Sequence, residues 1–191
     1  MAAPFDLERF VDAQEREGVY DAAVAELSAG RKISHWVWFV FPQLRGLGTS
    51  MMADRYGIES RDEAVAYLAH GVLGPRLRRC SQLVTRSGAV TAQALMGSVD
   101  ALKLRSSMTL FAEVAADDAD FAAVLDEYYG GERDPKTLEL LDLGRTWLDR
   151  DDGPAVGLDV EAVDDGLGRG AGARDDATAA DPEFGQRHSQ R

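Results

Sequence analysis

Three short blocks of the chain hold the side chains that could do chemistry. The first is GRKISHWVWFVFPQLRGLG, residues 30–48, where Lys32, His35, Gln43 and Arg45 surround an aromatic run of the kind that usually forms a core. Of the 21 basic residues only Lys32, Lys103 and Lys136 are lysines; the other 18 are arginines. In a chain that draws its surface charge from arginine, a lysine inside a polar block marks a place for a compact ammonium. Such a group holds a phosphate as a point charge or, once desolvated, acts as a base or nucleophile. His35 adds an acid–base group beside Trp36, so Lys32 and His35 are the catalytic candidates, with Trp36 or Trp38 available to stack a base. Plainer readings stand beside these. Lys32 follows a helix end, where a cation suits the macrodipole, and His35 fits a core histidine with one satisfied nitrogen.

The second block is the turn QLRGLGTS, with Gln43, Arg45, Gly46 and Gly48 as ligand-binding candidates. Its glycines would let backbone amides approach an anion ahead of a helix opened by Thr49 and Ser50. The turn is neither a GxGxxG nor a Walker motif, and glycines that only form a tight turn explain it equally. The third block is DALKLRSSMTLF, residues 100–111. On a helix Lys103, Ser106 and Ser107 share a side, with Asp100 a turn away, and Arg105 and Thr109 pair on another. Lys103, Arg105, Ser106 and Thr109 complete the ligand-binding candidates. A polar face of this kind is ordinarily solvated; here it interrupts an apolar helix, and an anion-binding face is the sharper alternative. No Ser-His-Asp order, nucleophile elbow or metal-ligand spacing occurs, and the residues assign no cofactor.

Charge distribution points the same way. The net charge is −12, which argues against general affinity for nucleic acid. Residues 27–112, however, hold 11 basic and 5 acidic residues, a basic middle within an acidic protein that would draw anions to a shared cleft. A lone cysteine, Cys80, fits a reducing compartment, the N-terminus lacks the pattern of a secretory signal, and no apolar run approaches the ~18 residues of a membrane span. The expected setting is the cytoplasm, away from membranes.

The elements that must position these blocks are helices. Leu7, Phe10, Val11 and Gln14 form one apolar stripe and Tyr20, Ala23, Val24 and Leu27 another, stopped at Gly30. Ser60 with Glu63 makes a capping box, Gly74-Pro75 opens a helix with Leu77, Cys80 and Val84 inward, and Thr91 and Ser98 are N-cap candidates. Phe121, Val124, Leu125 and Tyr128 precede Gly130-Gly131, and Asp134-Pro135 starts a last helix. WVWFVF itself reads as a short helix capped by Ser34 and ended by Pro42, although its composition also suits a buried strand. The expected fold is an all-α, compact single-domain helical bundle over residues 1–150. Residues 151–191, rich in Gly, Ala and Asp with one aromatic, form an acidic tail expected to be disordered.

With these blocks in view, HWVWFVFPQLRGLGTS, AVAYLAHGVLGPRL and DALKLRSSMTLF together resemble the domain of unknown function 1810 family of mainly bacterial proteins, from about Phe5 to Leu141. The resemblance implies a compact α-helical fold and brings no established reaction. Members are sometimes labelled "calpastatin", a disordered inhibitor with repeats, whereas this chain has a cored domain and no repeat. The functional expectation is a protein that binds or processes a small anionic, phosphate-bearing, nucleotide-like ligand in a pocket of Lys, His, Gln and Arg walled by Trp. The alternative is a non-catalytic interaction module that offers its basic patch to an acidic partner.

Overall fold

The computed structural model of the protein describes residues 5–148, with side chains through Gly144. The tail expected from Asp151 onward lies outside the described residues. Within them the chain is all-α: α1 (Glu8–Glu15), a 3-10 turn (Arg16–Gly18), α2 (Val19–Ser28), α3 (Val37–Val40), α4 (Met51–Arg55), α5 (Arg61–Ala69), α6 (Leu73–Arg86), α7 (Ala92–Met96), α8 (Ser98–Val114), α9 (Ala119–Tyr129) and α10 (Pro135–Leu148). No strand forms among the described residues; a single parallel bridge joins Leu44 to Ile58.

Local sequence sets most of the boundaries. Ser50, Ser60 and Thr91 each accept the backbone N–H three residues on, at 3.1 Å, and so satisfy a donor that the first turn leaves free. The capping box at α5 is displaced by one residue: the Glu63 carboxylate receives the amide of Glu59, not that of Ser60. Asp134 caps α10, accepting from the amide and hydroxyl of Thr137. Gly130, in the left-handed region, closes α9. Ser98 does not cap α8. Gly97, at φ 81°, makes the sharp turn between α7 and α8 that a residue with a Cβ would resist. Nor does Ser34 cap α3, because its hydroxyl is bonded to Glu26.

α8 is the central element, packed against α3, α5, α7, α9 and α10, while α6 packs against α2, α5 and α9. Rings run through the core in sequence: Phe10 to Tyr67 at 5.1 Å, Tyr67 to Phe111 at 5.3 Å, and Phe111 to Phe121 at 5.8 Å between centroids. The expected inner face of α6, Leu77, Cys80 and Val84, is fully buried. α5 and α6 meet closely at Gly74, where an added Cβ would lie 2.1 Å from the Leu68 carbonyl oxygen. Gly74→Ala must push the two helices apart, so it should lower stability by about 3 kcal/mol, read as a reduced urea midpoint at unchanged m-value.

Candidate functional site

The site begins at the end of α2. Gly30, in the left-handed conformation, turns the chain into residues 31–36, and a Cβ there would meet the Ser87 carbonyl oxygen at 2.9 Å. The loop has no regular structure to satisfy its amides, and Glu26 in the last turn of α2 does so instead. Its carboxylate accepts from the Ile33 amide (2.7 Å), the Ser34 amide (3.1 Å), the Ser34 hydroxyl (2.6 Å) and the Trp36 indole Nε1 (2.8 Å). Burial raises the Glu26 carboxyl pKa, but these donors together outweigh it and hold the group below the ordinary Glu value.

With the loop held from one side, the Lys32 amide donates to the Leu95 carbonyl (2.7 Å), which sets the side chain against the N-terminal turn of α8. Lys32 Nζ donates to the Ser34 carbonyl (2.7 Å) and lies 2.7 Å from Asp100 Oδ2. Lys103 Nζ lies 2.7 Å from the other oxygen of the same carboxylate. The Lys32 side chain is 6% exposed, Asp100 17% and Lys103 21%. Burial pushes the Asp100 carboxyl up, yet hydrogen bonds and charge from Lys103 and Lys32 keep it below its ordinary value. Two ammonium groups on one carboxylate leave one positive charge in excess.

Two indoles wall this arrangement. Lys32 Nζ stands 5.2 Å from the Trp36 ring centroid and Lys103 Nζ 4.4 Å from that of Trp38. Trp36 is fully buried, with its N–H held by Glu26 and its ring against Phe41, so it forms a wall and offers no face for stacking. Trp38 is half-buried, and the exposed His35 ring lies 6.5 Å from it at an interplanar angle of 33°. Lys32, His35, Trp36 and Lys103 are therefore brought together, and Asp100, Trp38 and Glu26 complete the group.

The remaining candidates are placed elsewhere or tied up. The Arg45 amide and the Gln43 carbonyl form the bridge to Ile58, and the Arg45 guanidinium is engaged by Glu59 (2.6 Å) and the Asp54 carbonyl (3.2 Å). Gly46 has φ 94° with open space around it, while Gly48 is packed so tightly that a Cβ would lie 2.8 Å from that of Ala53. These glycines shape a turn. Arg105 donates to the carbonyls of Glu132 and Arg133, the Ser106 hydroxyl to Asp134, and Thr109 Oγ1 accepts the Asp134 amide. Arg105, Ser106 and Thr109 fasten α8 to the segment that starts α10.

Two cavities occur on another part of the surface. One, of about 190 Å³, lies among Leu44, Arg45, Arg61, Leu140 and Leu141. The other, of about 300 Å³, sets Arg9, Arg45 and Arg55 against Asp6, Glu59 and Glu63, so its charges balance. Neither is lined by Lys32 or Lys103. Among the described residues no group of three or more His, Cys, Asp or Glu is placed to hold a metal, and no helix is long and apolar enough to cross a membrane.

Sequence reasoning passed over Glu26, although a signal was present. A carboxylate in the last turn of a helix opposes the macrodipole and needs a compensating reason. Replacing it tests that reason. Glu26→Gln should cost about 1–3 kcal/mol at pH 7. Because the folded-state pKa is depressed, the contribution is complete above the ordinary Glu range and disappears as pH falls through the folded value. The gap between wild type and variant, followed by urea unfolding, should therefore narrow in acid.

A family model described as a protein of unknown function, DUF1810, matches residues 4–141 of this chain. The crystal structure of the conserved hypothetical protein Rv1873 from Mycobacterium tuberculosis is similar at 54% sequence identity, with a TM-score of 0.71 over 73% of this chain and 99% of that one. No curated protein matches.

Proposed function

The chain belongs to the DUF1810 family of proteins of unknown function, which supplies no reaction, and from that starting point we propose that it binds a small anionic, phosphate-bearing, nucleotide-like ligand at Lys32, Asp100 and Lys103. One observation supports this reading above the others. Two of the chain's three lysines, far apart in sequence, share a single carboxylate, each beside an indole. Asp100 neutralises one of them, and the charge left over is partly exposed at Lys103. Near the low-dielectric indole walls that charge attracts an anion more strongly than it would in open solvent. A phosphate suits it, since lysine holds phosphate as a point charge without the planar fork that arginine requires.

The remaining groups fit supporting parts. Lys32 is held by two acceptors, an arrangement that suits fixing charge better than proton abstraction or nucleophilic attack. His35, exposed beside Trp38, is the group free to reach a ligand's oxygen or to move a proton. We assign no reaction. The buried, unpaired Cys80 is compatible with the reducing cytoplasm.

An interaction module is the second reading, and a specific observation favours it. Ile33, Val99 and Leu102, the sequence neighbours of Lys32, Asp100 and Lys103, are 75%, 66% and 65% exposed. Apolar side chains beside a basic group suit a macromolecular partner.

Thermal unfolding of the full chain with inorganic phosphate, ribose 5-phosphate and nucleoside monophosphates separates the two. A ligand at about 100 times its dissociation constant should stabilise the wild type by about 2.7 kcal/mol. Lys103→Gln, which leaves the Lys32–Asp100 pair in place, should remove most of that shift. Absence of a shift with every compound, in a normally folded protein, would shift the proposal to the apolar surface around Ile33 and Leu102.

A further inference from the structure

The cavity of about 190 Å³ lies apart from Lys32 and Lys103 and has a chemistry of its own. Buried Leu44 and Leu141 and partly buried Leu140 give it apolar walls. On α10 the wall is open at Gly144, where an added Cβ would meet no atom within 4 Å. An engineered apolar cavity of about 150 Å³ takes up benzene, so this one has room for a body of roughly six to eight carbons. Its polar side is the start of α5. Ser60, Arg61 and Asp62 line it there, where the first amides of a helix have no intrahelical acceptor. The Ser60 hydroxyl oxygen receives the Glu63 amide, which leaves its proton free to donate.

A second observation singles out Arg61. Its Nη1 donates to the Glu113 carbonyl at 2.7 Å. Nη2 stands 4.0 Å from the Glu113 carboxylate, too far for a hydrogen bond, and that carboxylate is taken by Arg133. Nε, enclosed by protein, has no partner. The Nε–Nη2 edge is one that grips a carboxylate with two parallel N–H groups, and here it is unmet. The acidic residues of the cavity do not meet it. Glu59 is paired with Arg45 at 2.6 Å, and Asp62 is solvent-exposed, where its charge is screened.

We infer that this cavity is a second binding site, for a small monocarboxylate with an apolar body. The body lies among Leu44, Leu140 and Leu141, and the carboxylate meets Arg61 Nη2 and the first turn of α5. A helix N-terminus and a fixed guanidinium both favour negative charge. Against leucine walls a single carboxylate charge costs less to desolvate than the several charges of a phosphate. The site is independent of the anion site proposed above and takes a different ligand.

Calorimetric titration of the full-length protein with benzoate, benzyl alcohol and acetate tests it. Benzoate carries both body and charge, benzyl alcohol the body alone, and acetate the charge alone. Wild type should bind benzoate at least about tenfold more tightly than either, since a site built to hydrogen-bond a group rejects the analogue that lacks it. In Arg61→Met the preference for benzoate over benzyl alcohol should fall towards one. Gly144→Leu should remove benzoate binding by filling the cavity. It puts a good helix former into α10 at a position with space for its Cβ, so the fold is kept. Equal binding of benzoate and benzyl alcohol by wild type, or of benzoate and acetate, overturns the site, as does failure of all three to bind. Undiminished benzoate affinity in Gly144→Leu puts the ligand elsewhere and overturns it as well, and so does an unchanged preference in Arg61→Met. The wild-type comparison decides the matter even if Arg61→Met does not fold.

Discussion

Removing the Lys32 ammonium almost wholly from water is the constraint around which this part of the molecule is organised. An isolated buried ammonium costs several kcal/mol, and the cost is offset only where geometry and hydrogen bonds are good. Here the Asp100 carboxylate and the Ser34 carbonyl, both at 2.7 Å, supply the compensation. Each must itself be held. Asp100 lies in the first turn of α8, where a carboxylate suits the macrodipole, and Lys103 fixes its second oxygen. Ser34 is held by Glu26 through both its amide and its hydroxyl. Glu26, Ser34, Lys32, Asp100 and Lys103 thus form one chain of polar contacts linking the end of α2 to the start of α8.

α8 divides its polar residues between two tasks. Its first turns carry Asp100 and Lys103, which face the loop after α2. Its middle carries Arg105, Ser106 and Thr109, which bind the segment before α10. Thr109 also donates back to the Arg105 carbonyl, 2.9 Å away, so its buried hydroxyl both donates and accepts, while the single Ser106 proton lies within reach of two acceptors, the Asp134 carboxylate and the Leu102 carbonyl at 3.1 Å. A helix fixed in this way at its centre cannot easily slide, and the position of its N-terminal lysine is correspondingly fixed.

Much of the fold was legible because it is written locally. Ser60, Thr91 and Asp134 cap where they should, Gly130 terminates where a left-handed residue is needed, and the stripe through Phe10, Val11 and Gln14 is buried. Of the candidate site, composition made one pairing legible: the scarce lysines Lys32 and Lys103 meet on the Asp100 carboxylate. What failed was the assumption that polar residues in one block serve one site. Arg45 follows the aromatic run by a few positions but turns away through the bridge to Ile58, and Arg105 stands two residues from Lys103 yet points to another part of the helix surface. A helical step of about 100° per residue separates such neighbours. Glu26 escaped because its partners lie 7 to 10 residues on, in an irregular loop where no period applies.

The aromatic run shows why the choice of a helical turn matters. In a strand, alternation would place Trp36, Trp38 and Val40 on one face, so that both indoles would share either the core or the surface. In the single turn of α3 the geometry differs. Trp36, Val37, Phe39 and Val40 turn inward, and Trp38 alone stays half-buried. The two indoles are separated into different roles by that turn: one gives its N–H to Glu26 and seals the core beneath Lys32, while the other lies under Lys103. β-Branched and aromatic residues do not favour helix intrinsically, and one turn is all that the run sustains before Phe41 leaves helical geometry ahead of Pro42. The burial of Trp36, Val37, Phe39 and Val40, beside α1, α6 and α8, outweighs that preference. Tertiary packing thus selects the local conformation that sets one tryptophan apart from the core, beneath the partly exposed ammonium of Lys103.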